Sequence, residues 1–203
     1  IVSAPIVMGC DGPNSMIARK LGLYKMDMKN TAIAIRCYYE GIEGLTDQIE
    51  LHYVSEVKPG YFWLFPAGDG RANIGLGLSK DDAKKEDRSL GDILDEITRS
   101  DYFKERFKNA RPLEKPIGWN LPMGSIHRKN HGDGFMLLGD AAGLVDPFTG
   151  EGIGNAMFSA KYAIQIAKKA HDMGQFNESI FQEYDKLVWE ELGGELDTST
   201  KLQ

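Results

Sequence analysis

The segment GFMLLGDAAGLVDPFTGEGIG, residues 134–154, is the part of the sequence that decides the predicted fold. It begins with a short apolar run bounded by glycines, Gly134 to Gly139, which is typical of a buried β-strand. A loop beginning at Asp140 follows, and apolar residues at i, i+3, i+4 and i+7 spacing then predict a long helix from about Gly150. A strand that leads through such a loop into a helix is the usual carrier of ligand-binding loops in α/β proteins.

Three glycines at alternate positions, Gly150, Gly152 and Gly154, open this helix. Because they have no side chains, only backbone covers the helix N-terminus, where unpaired N–H groups and the positive end of the dipole attract anions. We therefore predict that a phosphate or another electron-rich group binds here, with an ordinary tight turn that needs glycine geometry as the alternative. Asn155 stands where a GxGxxG motif would have its third glycine, so the segment is not a Rossmann fingerprint.

The carboxylates of this segment, Asp140, Asp146 and Glu151, also fit a metal cluster or an acid–base pair. However, the sequence contains neither a DxDxD spacing nor an HExxH motif. His127 and His131 are four residues apart, but they lie in a connection rich in Gly and Lys rather than on a predicted helix. We therefore expect no metal site. The absence of a GxSxG motif removes support for a serine hydrolase.

The composition is that of a globular protein. Of 203 residues, 42% are hydrophobic and 27% are charged, which excludes the disordered, collagen-like and disulfide-scaffold classes. The net charge of −6 argues against a general nucleic-acid surface, so we expect no nucleic-acid partner. No run approaches the ~20 apolar residues that span a bilayer. Cys10 and Cys37 are too few for a disulfide framework, and Cys10 is predicted to be buried in the core. We expect a cytoplasmic protein, with peripheral contact to a membrane as an open alternative.

The beginning of the chain is predicted to be a second strand–turn–helix unit. A buried strand is expected over residues 1–9, followed by an Asp-Gly turn at Asp11 and a short helix that Asn14 or Ser15 caps and Gly22 ends. At this position Asp11 is suited to bind a ribose or a pyrophosphate, although Asp-Gly is also a common turn dipeptide. The chain starts without Met, in what is predicted to be the middle of a strand, so we expect a piece of a longer protein.

The middle of the chain is predicted to be an antiparallel meander. Short strands are expected at 31–39, 49–54, 61–65 and 72–78, separated by Gly, Pro and Asp turns. Residues 80–88 are highly charged and are interpreted as a solvated turn. Apolar spacing then predicts a helix over 89–99, and a further short helix and a strand are expected near 102–107 and 115–122.

An aromatic stretch, YFWLFP beginning at Tyr61, lies within this meander. In a strand, Tyr61, Trp63 and Phe65 point to one face, while Phe62 and Leu64 point to the other. Both faces are therefore apolar, and one of them carries three aromatic rings in succession. Such a wall suits core packing, and it equally suits a pocket for a flat ring or a long hydrocarbon.

Taken together, the Asp-Gly turn, the later Gly-Asp loop and the glycine-rich helix start resemble the FAD-dependent monooxygenase-like flavoproteins, which share the aromatic-hydroxylase fold. With the pattern Tyr61-x-Trp63-x-Phe65-Pro66 between them, the sequence looks most similar to the geranylgeranyl reductase family. The resemblance implies an α/β plus antiparallel β fold, in which a partial FAD-binding domain carries an inserted β-rich substrate domain. The implied parts are 1–28 with 123–175 for FAD binding, 29–122 for substrate binding, and 176–203 as a C-terminal helix.

The resemblance also implies a role for each motif. Asp11 and Gly12 match the motif that lies near the FAD pyrophosphate. Gly139 and Asp140 match the Gly-Asp motif, whose aspartate accepts a hydrogen bond from the ribityl chain. The residues implied beneath the isoalloxazine ring are Pro147, Gly150, Gly152, Ile153 and Gly154. The residues implied along an isoprenoid cavity are Tyr61, Trp63, Phe65 and Pro66. No proton donor is assigned.

The implied function is an FAD-dependent oxidoreductase that reduces carbon–carbon double bonds of a geranylgeranyl-type chain. Its implied electron donor is NAD(P)H or a ferredoxin, and its substrate is an isoprenoid or a lipid. The family's N-terminal GxGxxG unit is absent, so we do not expect this chain to retain FAD by itself. Ala18 stands where the Asp-Gly motif usually has an arginine, with Arg19 one position later, so the route by which the reductant reaches the flavin is not assigned. The alternatives are an aromatic hydroxylase or halogenase on the same scaffold, an electron-transfer flavoprotein, or a fragment without catalytic activity.

Overall fold

The computed structural model describes residues 3–23 and 27–203. Two compact units are distinguished by the contacts within each: the first combines Ile1–Asn30 with Leu121–Gln203, and the second is Thr31–Asn120. The binding roles expected for the corresponding stretches of sequence stay predictions. None of the helices in the described ranges has both the length and the apolar character needed to cross a bilayer.

Nine strands and six helices are numbered in chain order within the described ranges. The strands are β1 Val7–Gly9, β2 Thr31–Glu40, β3 Glu50–His52, β4 Gly60–Pro66, β5 Arg71–Ser79, β6 Arg111–Pro112, β7 Ile117–Pro122, β8 His131–Gly132 and β9 Phe135–Leu137. The helices are α1 Met16–Lys20, α2 Lys80–Ala83, α3 Leu90–Arg99, α4 Lys104–Phe107, α5 Ile153–Met173 and α6 Glu178–Leu202. Short 3-10 turns occur at Ser55–Val57 and Gly139–Ala142.

The first unit contains a sheet in the order β1-β9-β8, in which β1 is parallel to β9 and β8 is antiparallel to it. The predicted buried strand over 1–9 is wrong in extent and in burial. Within its described part only β1 is a strand, and Val7 and Met8 are 43% and 36% exposed. The reason is that α6 packs against β8 and β9, whereas β1 lies at the other edge of the sheet. Residues 1 and 2 of that prediction lie outside the described residues.

The residues after β1 form the turn into α1. The prediction that Cys10 is a core residue is wrong: the thiol is exposed, because it follows the last residue of the strand. The capped helix is confirmed, with Ser15 rather than Asn14 as the cap, since Ser15 Oγ accepts a hydrogen bond from the N–H of Ala18 at 2.9 Å. Gly22 follows α1 with a φ of 70°, which a glycine adopts without strain.

Helices α5 and α6 pack against each other in the core of the first unit. Its buried side chains include those of Ala163, Ile166, Ala170, Phe181 and Tyr184. The long helix is confirmed, although α5 begins at Ile153 rather than at Gly150, and Gly174, with a φ of 63°, caps its C-terminal end. The Tyr184 hydroxyl donates a hydrogen bond to the carbonyl of Leu137 at 2.7 Å, which ties α6 to β9.

The second unit is an antiparallel sheet in the order β3-β4-β5-β2-β6, with β7 also paired to β2. The predicted meander is therefore confirmed. One face of the sheet is covered by α3 and α4, and the buried side chains between them include Phe62, Leu64, Ile74, Leu76, Ile93, Leu94, Ile97 and Phe103. Helix α3 begins with a capping box, in which Ser89 and Asp92 each accept a backbone N–H of the other.

The prediction that the charged connection over 80–88 is a solvated turn is wrong at its start. Lys80–Ala83 form α2, because Ser79 Oγ accepts a hydrogen bond from the N–H of Asp82 at 3.0 Å and caps the turn. The same charged residues that indicate solvent exposure therefore also begin a short helix.

A half-buried ion pair ties β3 to α4 in the second unit. Arg106 donates to both carboxylate oxygens of Glu50, at 2.6 and 2.9 Å, and His52 Nε2 lies 2.9 Å from the same carboxylate. The hydrogen bonds from Arg106 hold the pKa of the Glu50 carboxyl below its usual value, against the opposing effect of burial. Arg106 also donates to the carbonyls of Glu43 and Gly44, so this one side chain fixes the loop before β3 as well.

Replacing Arg106 with Met is expected to lower the free energy of unfolding near neutral pH by about 1–3 kcal/mol, because the half-buried carboxylate of Glu50 loses its main donor. Since the pKa of Glu50 is depressed in the folded state, this stabilisation is present above the ordinary carboxyl pKa and is lost as the pH falls through the folded-state value. Urea unfolding of both proteins near neutral pH and in acid measures the difference, which should shrink in acid.

The matched control is Arg99→Met. The side chain of Arg99 is 80% exposed and pairs with Asp95 at 3.3 Å, so its loss is expected to change the unfolding free energy by less than about 0.5 kcal/mol. Equal losses for the two variants would contradict the assignment of Arg106 as a structural anchor.

Candidate functional site

A cavity of about 650 Å³ opens in the first unit, where β9 ends and α5 begins. This volume lies within the range of about 300–1,000 Å³ that is typical of ligand and cofactor sites. The predicted residues that line it are Gly12, Gly139, Asp140, Gly150, Gly152 and Ile153. Asp11, Pro147 and Gly154 are close in sequence but are not among the lining residues. The Asp-Gly turn, the Gly-Asp loop and the helix start are thus brought to one cavity.

The turn that carries Asp140 is fixed by the close approach of α5. Ser159 Oγ accepts a hydrogen bond from the N–H of Gly139 at 3.0 Å. Gly139 has a φ of 55°, and a Cβ atom there would lie 2.9 Å from the Cβ of Ala156. Only glycine fits both the backbone conformation and the contact, so the Gly-Asp pair has a structural reason as well as a chemical one.

The Asp140 carboxyl is a free acceptor at the cavity wall. Burial, and to a lesser extent the charge of Glu151, raises the pKa of Asp140 above its usual value. No donor within residues 3–23 and 27–203 bonds to this carboxylate. A Cβ atom on Gly152 would lie 3.1 Å from Asp140 Oδ1, so the helix start must approach the carboxylate closely. Asp140 is therefore placed to accept a hydrogen bond from a ligand hydroxyl.

Some, but not all, of the backbone N–H groups at the N-terminus of α5 are without an acceptor among the described residues. Gly152 is the N-cap and provides no side chain, and the N–H groups of Gly152 and Ile153 have no acceptor in the described part of the chain. The prediction that nothing but backbone covers this end is wrong at Gly154, whose N–H donates to Glu151 Oε1 at 2.8 Å. The acceptor is the side chain of Glu151, which precedes the N-cap and reaches forward to the helix.

Asp146 has a structural role in the loop. Its Oδ1 accepts the N–H groups of Phe148 and Thr149, at 3.0 and 2.7 Å, and the Thr149 hydroxyl at 2.9 Å. The carbonyl of Asp146 also accepts the N–H of Gly150 at 3.0 Å. Asp146 and the adjacent Pro147 are buried, so they shape the loop from behind the cavity rather than line it.

The two histidines considered as metal ligands are engaged elsewhere. His131 Nδ1 lies 2.7 Å from Asp185 Oδ2, and His127 stacks on Trp189 with ring centroids 4.2 Å apart. The described residues contain no group of three or more His, Cys, Asp or Glu side chains arranged to hold a metal ion.

Asp11 acts on α1 rather than on the cavity. Its Oδ2 accepts the N–H groups of Met16 and Ile17, at 2.7 and 3.1 Å, in the first turn of the helix. Burial works to raise the pKa of Asp11, but the hydrogen bonds from Ser15 and from these backbone groups hold it below its usual value. Gly12, with a φ of 76°, turns the backbone into the cavity wall.

The aromatic side chains of this stretch are half-buried and lie on the face of the sheet opposite the core side chains Phe62 and Leu64. Trp63 lies between Tyr61 and Phe65, with ring centroids 6.0 and 5.9 Å apart and Phe65 nearly parallel to the indole. Pro66 is not on this face, because it pairs with Ala72 and shares the core-facing side of the sheet. The structure therefore brings together three of the four predicted substrate-binding residues of this stretch.

Two residues that hold Trp63 were missed. Asn73 Oδ1 accepts a hydrogen bond from Trp63 Nε1 at 2.8 Å. Gly75 lies directly opposite Trp63, and a Cβ atom there would overlap the indole ring. A glycine inside a strand indicates such a close approach, so the spacing of Gly75 and Gly77 was an available signal.

Sequence comparisons find relatives that are named as reductases. Residues 30–119 match the family model described as the geranylgeranyl reductase catalytic domain. The digeranylgeranylglycerophospholipid reductase of Methanocaldococcus jannaschii is 34% identical over 195 residues, which cover 94% of this chain and 48% of the relative. The corresponding reductase 1 of Methanothermobacter thermautotrophicus is 34% identical over 204 residues, covering 100% and 50%. The chain spans about half the length of the curated relatives that it matches.

Structural comparisons agree with this. A geranylgeranyl bacteriochlorophyll reductase-like protein of Thermoplasma acidophilum superposes with a TM-score of 0.83 at 28% identity, covering 94% of this chain and 47% of that one. A flavin-dependent brominase superposes with a TM-score of 0.73 at 22% identity, covering 92% and 48%, which is a likeness of fold alone. The predicted fold, a partial aromatic-hydroxylase-like FAD-binding fold with an inserted antiparallel sheet, is confirmed.

Gly75→Ala is expected to destabilise the protein by about 1–3 kcal/mol, because the added methyl group overlaps the Trp63 ring and the backbone of Ile35. The matched control is Gly77→Ala, where the nearest atoms lie at 3.5 Å or more, so that ordinary contacts result. Thermal unfolding followed by circular dichroism compares the two variants. A similar effect at both positions would contradict the tight contact between Gly75 and Trp63.

Proposed function

We propose that this chain, whose predicted resemblance to the geranylgeranyl reductase family is confirmed by the matches above, is part of an FAD-dependent oxidoreductase. The proposed reaction saturates carbon–carbon double bonds of an isoprenoid chain attached to a lipid. The named reductases among its relatives act, by their names, on digeranylgeranylglycerophospholipids. Because the chain spans about half of their length, the activity is proposed for the protein expressed from its complete reading frame.

The observation that carries the proposal is the set of free hydrogen-bonding groups at the cavity. A ribityl chain offers hydroxyl donors, and Asp140 is an unengaged acceptor. An electron-rich ring edge accepts hydrogen bonds, and the N–H groups of Gly152 and Ile153 are unengaged donors at a helix start. The residues present therefore fit FAD.

The division of labour among the residues follows from this fit. When bound and reduced by an external electron donor, FAD would supply the hydride, and a proton would complete the saturation of the double bond. Asp140 orients the ligand through a hydroxyl, while the positive end of α5 stabilises negative charge that develops near Gly152 and Ile153. The cavity lining, which includes Leu138, is mainly apolar, so a bound ligand would displace water from an apolar surface.

The aromatic face of the second unit is the proposed contact for the isoprenoid. Tyr61, Trp63 and Phe65 present adjacent rings on one side of β4, and Asn73 fixes the indole between the other two rings. Rigid aromatic rings bury apolar chains at little cost in conformational entropy. The methyl-branched chain of an isoprenoid is an apolar ligand that such a surface accommodates.

The flavin-dependent halogenases are the second candidate, because they share the fold. The brominase is 22% identical to this chain and a second flavin-dependent halogenase is 17% identical, whereas the reductases reach 34%. The two candidates differ in reactants, since halogenation requires oxygen and a halide and double-bond saturation requires neither.

Asp140→Ala is expected to weaken FAD binding by about tenfold or more, because a hydroxyl of the ligand loses a charged acceptor. The protein from the complete reading frame is titrated with FAD, and flavin absorbance gives the dissociation constant. Asp172→Ala, an exposed residue on α5 that pairs with Lys168, is the control and should leave the affinity unchanged. Unchanged affinity in Asp140→Ala would contradict the assignment of the cavity to FAD.

The reaction itself is tested without oxygen, with dithionite as reductant and a geranylgeranyl phospholipid as substrate. Mass spectrometry should show the addition of hydrogen to the isoprenoid chains. Halogenated products formed with oxygen and bromide, together with unreduced lipid in the anaerobic reaction, would favour the halogenase instead.

A further inference from the structure

A positively charged side chain shares the aromatic face with Trp63. In the antiparallel register Trp63 pairs with Gly75 of β5, and Gly75 pairs with Arg36 of β2. Residues that are directly opposite in neighbouring strands point to the same face of a sheet. The strands are about 4.8 Å apart, so the Arg36 and Trp63 backbones are about 10 Å apart with only a glycine between them.

The Arg36 guanidinium is oriented by two contacts and keeps donors free. Its Nη1 donates to Glu114 Oε1, and its Cζ lies 5.2 Å from the ring centroid of Tyr38. Its Nε and Nη2 groups have no partner in the described part of the chain. The side chain is 36% exposed, so a ligand can reach it. A guanidinium that is already oriented loses less conformational entropy when a ligand binds.

Glu114 is itself held in place beside Arg36. The buried Cys37 thiol donates to the Glu114 carbonyl at 3.1 Å, and the N–H of Leu113 donates to the Tyr38 carbonyl at 2.8 Å. Burial raises the pKa of the Cys37 thiol, which keeps it protonated and able to donate. The connection between β6 and β7 is therefore pinned to β2, and its carboxylate partly neutralises Arg36.

We propose that Arg36 is a specificity-determining residue that binds the phosphate of an isoprenoid lipid whose chain contacts Trp63. The inference rests on the proposed function and deepens it: Arg36 would select substrates with a phosphate over neutral isoprenoid alcohols. A guanidinium fork matches phosphate oxygens with two parallel hydrogen bonds. Glu114 competes with the phosphate for the same guanidinium, so it lowers the affinity for anions while it keeps the fork oriented.

The test compares geranylgeranyl phosphate with geranylgeraniol, each below its micelle concentration, by calorimetric titration of the protein from the complete reading frame. Wild type is expected to bind the phosphate about tenfold more tightly than the alcohol. Arg36→Met should abolish this ratio while the affinity for the alcohol stays the same. Arg36→Lys should keep part of the ratio, since it retains the charge and loses the fork.

The variant Glu114→Gln distinguishes a role in phosphate binding from damage to the fold. Removing the competing charge should tighten binding of the phosphate several-fold and leave the alcohol unchanged. If the Arg36–Glu114 pair had only a structural role, both Arg36→Met and Glu114→Gln would bind both ligands more weakly. Arg71→Met is the control for a second cation on this face: Arg71 is four residues from Gly75, about 13 Å along β5, and its loss should not change the ratio.

The remaining outcomes separate this inference from the proposed function. Equal affinity of wild type for the two ligands, or an unchanged ratio in Arg36→Met, overturns the role of Arg36 and leaves isoprenoid binding intact. Wild type that binds neither ligand contradicts both proposals. Inorganic phosphate is the third ligand, and if it binds as tightly as geranylgeranyl phosphate, the site is one for free phosphate and the lipid assignment is wrong.

Discussion

The contact between α5 and the turn at Gly139 is the constraint on which the candidate cofactor site depends. Gly139 has no side chain, so Ala156 and Ser159 reach its backbone, and the Ser159 hydroxyl fixes the turn. Because this contact sets where α5 starts relative to β9, it also sets the distance between the Asp140 carboxylate and the first N–H groups of the helix. The acceptor and the donors that face the cavity are therefore positioned by one packing interaction.

In the second unit a glycine likewise allows a close contact, here between neighbouring strands of the sheet. Trp63 lies flat because the opposite residue is Gly75, and Asn73 fixes the rotation of the ring through its Nε1. In both units a glycine admits a neighbouring group to its backbone, and a polar side chain then fixes the orientation of that group. In both units, contacts with a glycine backbone thus set the local geometry. The charged groups, Asp140 at the cavity and Arg36 on the aromatic face, lie beside these contacts.

The local elements were largely predictable, because caps and apolar periodicity act over a few residues. The helix at Met16–Lys20, the strand pair around Trp63 and the loop at Asp140 all follow from such patterns. The exposure of Cys10 was not predictable, since it depends on which strands pair and which helices cover them. The hydrogen bond from Trp63 to Asn73 likewise requires the register of two strands, and the bond from Gly154 to Glu151 requires a rotamer.

The two cysteines differ in a way that has a practical consequence. Cys10 is exposed at the wall of the cavity, whereas Cys37 is buried and its thiol is engaged with the carbonyl of Glu114. A maleimide dye therefore labels the folded protein at Cys10 first, and the label stands beside Gly12 and the start of α5. Its fluorescence would report the arrival of a ligand in the cavity without any substitution in the chain.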